Sequence, residues 1–172
     1  TWNNWKATLI RQLYTETRLT LEQGGEALNR ENRMAEAKKL LREKLFDWDP
    51  KDIKLETGRH YPPYWQGFQI GAQFAFAKLL KGLGSDEIKI DLTPDIDRDA
   101  TRICFALSDH PGIFSRLSGA LALVGANVVD ARSYTSKDGF ATAAFWVQDS
   151  DGAPYDKSRF SRLRGMIEKT LS

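Results

Sequence analysis

Six consecutive residues, Asp109-His110-Pro111-Gly112-Ile113-Phe114, combine an acid, an imidazole, a proline and a glycine where a strand-like pattern gives way to a helical one. A carboxylate at such a junction can cap the helix start, the proline presets the first-turn dihedral, and the glycine leaves the backbone open to close approach. The free N–H groups of a helix start attract a carboxylate or phosphate. The same residues also describe a well-capped helix that binds nothing. Catalysis has less support, because His110 beside Asp109 has Ser108 and Ser115 nearby but no nucleophile with an orienting partner. No catalytic residue is assigned.

Metal and redox chemistry are restricted by counting. His60 and His110 are the only histidines and Cys104 the only cysteine, so neither an internal disulfide nor a cysteine-rich zinc site is possible. No metal ligand is assigned, and the lone thiol fits a reducing cytoplasm. Asp149-Ser150-Asp151-Gly152 opens like a calcium loop, but Phe160 stands where the closing glutamate belongs, so a turn is expected. In 172 residues, 25 Lys and Arg face 23 Asp and Glu, a net charge of +2 that argues against a nucleic-acid partner. No apolar run approaches the roughly 20 residues of a membrane helix, and no signal-type leader opens the sequence. The start at Thr1 points to a piece of a larger protein.

The elements that must position the loop fall into two groups, 1–85 and 86–172. The first reads as helical. Trp5, Leu9, Leu13 and Thr17 set a helix over 2–22, and Met34, Ala37, Leu41 and Leu45 set another over about 29–46, closed by Pro50. A hydrophilic connector over 51–60 leads into Tyr61-Pro62-Pro63-Tyr64-Trp65 and a helix over about 63–82. The Tyr61, Tyr64 and Trp65 cluster is read as a packing plug and His60 as a hydrogen-bonded residue. The second group alternates. Strands are expected over 87–93, 101–108, 127–135 and 140–148, with helices after Gly112 and from about Asp156. The order from 101 onward, βαββα, is a split βαβ fold lacking its last strand. Strand 87–93 is expected to fold back antiparallel beside 101–108 and fill that edge, giving an α+β protein.

The run from Asp109 to Leu123, followed by Gly125 to Arg132, resembles an ACT domain, a ferredoxin-like module that senses small molecules in amino-acid metabolism. With Arg59 to Trp65 upstream and Thr142 to Gly152 downstream, the chain resembles the bacterial bifunctional PII uridylyltransferase/uridylyl-removing enzymes, over their post-HD helical linker (1–85) and first ACT domain (86–172). The Arg59 to Trp65 motif disfavours the stringent-response synthetases, which also join HD and ACT domains. The resemblance implies glutamine as ligand, PII as the parent's partner, and an ACT homodimer. It implies magnesium or manganese for the parent enzyme, no cofactor in this piece, and a chain that carries control rather than chemistry. Carried over residue by residue, the ligand loop is Asp109, His110, Pro111, Gly112, Ile113 and Phe114. Asn127, Val128, Val129 and Asp130 form the other wall. The competing expectation is a dimerisation or docking module without ligand.

Overall fold

The computed structural model describes residues 25–172. The helix expected over 2–22 lies outside them. Helix α1 runs through 25–44 and turns near 45–47. Pro50 does not merely end a helix: it begins α2 (Pro50–Gly58), where Asp49 caps by accepting from the Lys51 N–H at 3.0 Å. Proline lacks the N–H that a first helical turn leaves unpaired, so it suits that position. The expected connector over 51–60 is therefore largely helical. The long helix expected over 63–82 is two, α3 (Pro62–Gly67) and α4 (Ile70–Leu80), broken where Phe68 and Gln69 turn extended.

Four strands follow the expected pattern: β1 (Ile88–Asp95), β2 (Ala100–Ser108), β3 (Asn127–Thr135) and β4 (Phe140–Gln148). Helix α5 (Ile113–Leu123) joins β2 to β3, and α6 (Phe160–Leu171) follows β4. The sheet is antiparallel throughout, in the order β1-β2-β4-β3. Strand β1 takes the edge beside β2, with Ile88 opposite Leu107 and Asp95 opposite Ala100. That is the edge assigned to it from the sequence.

Both faces of the sheet are covered. Ile103, Phe105, Phe145 and Val147 meet Leu117, Leu121, Leu163 and Ile167 of α5 and α6. On the other face Ala100, Cys104, Ala106 and Ala144 present small side chains, and the helical layer fills the space above them with Tyr64, Phe68 and Phe76. Alternation along β2 and β4 thus serves two cores, since successive side chains point to opposite faces.

Candidate functional site

The Asp109 to Phe114 loop leaves β2 at its C-terminal end and enters α5. Asp109 does not cap that helix: its carboxylate accepts from the Thr135 hydroxyl at 3.2 Å, and the N-cap is Gly112 with no side-chain bond. Gly112 has φ +80° with open space around its Cβ position, so glycine is required by conformation and not by crowding. Two amides are spent within the protein, Asp109 N–H on the Gly139 carbonyl at 2.9 Å and Ile113 N–H on the His110 carbonyl at 3.2 Å. The N–H groups of Gly112, Phe114 and Ser115 have no hydrogen-bond partner among the described residues, and all three residues are exposed. Local chemistry at this bend can therefore receive an anionic group. His110 is exposed, its Nδ1 3.3 Å from the Pro111 carbonyl. Beside the loop lies a cleft of about 480 Å³ that His110 lines with Ser108, Ile90, Leu107 and Arg116. The Arg116 guanidinium donates to the Leu171 carbonyl.

The second group of expected residues lies at the other end of the sheet. Asn127 opposes Gln148 and Val128 opposes Val147, whereas Thr135, at the far end of β3, touches Asp109. Five to eight strand steps of about 3.4 Å put roughly 17–27 Å between the two walls in one chain. Val129 sits in a bulge, and Val128 and Val129 are exposed. Asp130 is already engaged: Arg98 Nη1 donates to it at 2.5 Å, and its carboxylate accepts from the Ala131 N–H at 2.9 Å. Burial pushes its carboxyl up, but the Arg98 hydrogen bond and the neighbouring charges outweigh this and hold it below the ordinary value. Arg98 also lies 4.0 Å over the Trp146 ring, and Trp146 Nε1 donates to Asp95 at 2.8 Å.

Sequence reasoning missed a buried polar cluster on the opposite layer. Glu56, Arg59 and His60 are all buried. Glu56 receives Arg59 Nη1 at 3.3 Å and lies 2.6 Å from His60 Nε2, and the His60 ring stacks on Tyr64 with centroids 3.6 Å apart. Arg59 reaches across to Asp138 in the β3–β4 turn, with Nη2 at 2.5 Å. The i, i+3, i+4 spacing of Glu56, Arg59 and His60 across the C-terminal end of α2 was the available signal, hidden by reading 51–60 as connector. No group of three or more His, Cys, Asp or Glu able to hold a metal occurs among the described residues. They do not fit the magnesium or manganese that the family resemblance implies for the parent enzyme. No helix among them is long and apolar enough to cross a membrane.

Residues 103–157 match the ACT domain family. Over 99% of its length the chain is similar to curated proteins named bifunctional uridylyltransferase/uridylyl-removing enzyme. It is 66% identical to the one from Cereibacter sphaeroides, 61% to that of Ruegeria pomeroyi and 39% to that of Azospirillum brasilense. The chain spans only 18% of the first relative's length and 19% of the other two.

Proposed function

We propose that this chain is the glutamine-sensing, ACT-bearing segment of a cytoplasmic bifunctional enzyme that attaches UMP to, and removes it from, the PII nitrogen-signalling protein. The chemistry belongs to other domains. The reading rests on the bend at the start of α5, inside the stretch that matches the ACT domain family, where the N–H groups of the exposed residues Gly112, Phe114 and Ser115 have no partner among the described residues. These amides receive the α-carboxylate of the amino acid, and the exposed Asp109 carboxylate is available to its ammonium group.

The separation of roughly 17–27 Å in one chain makes the complete site intermolecular. Pairing two β3 edges antiparallel about a two-fold axis brings the Asn127 to Asp130 start of one copy toward the Asp109 to Phe114 loop of the other. In a longer chain a further ACT module can take that place. Val128 and Val129 supply the apolar contact, and Asp130, held by Arg98, shapes the wall rather than binding ligand.

Calorimetric titration of the chain with glutamine tests this. Saturable heat that disappears in Asp109→Ala, together with a dimer in sedimentation, is the expected result. No heat from an intact dimer would reduce the surface to docking. A deuridylylation assay on modified PII is expected to be blank, and turnover would overturn the assignment of chemistry to other domains.

A further inference from the structure

The β3–β4 turn is bonded on both of its sides. Toward the Asp109 to Phe114 loop, the Gly139 carbonyl accepts from the Asp109 N–H at 2.9 Å and the Thr135 hydroxyl donates to the Asp109 carboxylate at 3.2 Å. Toward the helical layer, the Lys137 N–H donates to the Arg59 carbonyl at 2.7 Å, and Asp138 receives Arg59 through Nη2 at 2.5 Å and Nε at 3.2 Å. Between these contacts the turn is tied to itself. Ser136, 3% exposed, donates its hydroxyl to Asp138 at 2.6 Å and accepts the Phe140 N–H at 2.9 Å. These bonds join the two sides of the turn in one hydrogen-bonded path.

We propose that this turn is the connector by which occupancy of the Asp109 to Phe114 loop is conveyed to α2 and α3. The inference rests on the sensing reading above and names its route of regulation. The two sides differ in strength in the direction such a device needs. The Thr135 to Asp109 bond is exposed, long and made to the carboxylate that a ligand ammonium competes for, so ligand binding alters it. The Arg59 to Asp138 link is charge-assisted, bidentate and continues into the buried Glu56 and His60 pair, so it passes a shift on rather than damping it. Tyr64, stacked on His60, begins the aromatic core of the helical layer.

The test uses the whole chain in two arms. Without ligand, Asp138→Asn is expected to speed amide hydrogen exchange by about threefold or more both at Thr57 to His60 and at Asp109, whose amide is held by Gly139. Acceleration confined to the helical side overturns the connector. With glutamine, the His60 ring resonances of the unaltered chain are expected to shift in step with saturation. Thr135→Val, an exposed change that leaves the Arg59 contacts and the Asp109 to Gly139 bond in place, is expected to weaken that shift while saturable heat persists. Heat without any His60 response in the unaltered chain sinks the inference and leaves sensing intact. Absence of heat sinks the sensing reading and the connector with it.

Discussion

Cys104 shows how the interior changes a single group. It lies fully buried on the helix-covered face of β2, and burial pushes its thiol up to about 12. A thiol reagent at about pH 8 is therefore expected to leave Cys104 unmodified in the native chain and to react with it only on unfolding. Stoichiometric native labelling would contradict this. Asp138 behaves oppositely. Burial raises its carboxyl, but hydrogen bonds from Arg59 and Ser136, and the Arg59 charge, bring it below the ordinary 3.8. Such a depressed group stabilises the fold fully above 3.8 and loses that contribution as pH falls through the folded value. Thermal melts from about pH 7 to about pH 2.5 are expected to show Asp138→Asn less stable near neutrality, with the gap closing in acid. At this scale the sequence revealed residue types but not partners: Arg59 and Asp138 are 79 positions apart.

At the scale of elements, the docking of β3 on α3 depends on one glycine. A Cβ on Gly67 would lie 1.7 Å from the Tyr134 hydroxyl oxygen and 2.4 Å from its ring. The adjacent Gly67 carbonyl accepts from Arg132 Nη1 at 2.5 Å. Gly67→Ala must displace Tyr134 from the aromatic cluster with Tyr64 and Phe68, a loss of about 1–3 kcal/mol in denaturant unfolding. Most of that loss is expected to return in the Gly67→Ala, Tyr134→Ala double variant only if the clash is the cause. Strands and α5 were legible because their apolar residues repeat at 2 and about 3.6 positions. Helix α2 was not, because its sequence carries only Ile53 and Leu55 as large apolar residues, and Leu55 is exposed. It is held by an N-cap, a first-position proline, the buried Arg59–Glu56 ion pair and the Glu56–His60 hydrogen bond, none of which leaves a hydrophobic period. The Asp109 cap failed for a related reason: a left-handed Gly112 begins the helix, placing Asp109 too far upstream and within reach of β3.

For the whole molecule, the shared sheet makes the helical layer on one face and the α5 and α6 layer on the other mutually dependent. Phe105 faces α5 and α6, while Phe76 faces the small residues of the opposite sheet face, and both are fully buried. Truncating either to alanine is expected to cost about 3–5 kcal/mol. Tryptophan fluorescence, to which Trp2, Trp5, Trp48, Trp65 and Trp146 all contribute, is expected to change together with far-ultraviolet circular dichroism in one unfolding transition. Two separated transitions would show that the layers fold independently. The same arrangement makes β1 indispensable. It covers one edge of β2 and contributes Ile90 and Leu92 to the α5 and α6 core.

Local periodicity, turn residues and charge balance determined the order of strands, the α+β class, the edge assigned to β1 and the position of the bend before α5. These follow from interactions between residues close in sequence, or from the single unpaired edge that the strand order leaves. Tertiary structure alone decided that the second face of the sheet is buried, and that Arg59 reaches the β3–β4 turn. It also decided that the two expected ligand walls stand at opposite ends of β3. Those features arise from packing between distant segments, where shape and charge complementarity are set by the folded chain and not by spacing along it.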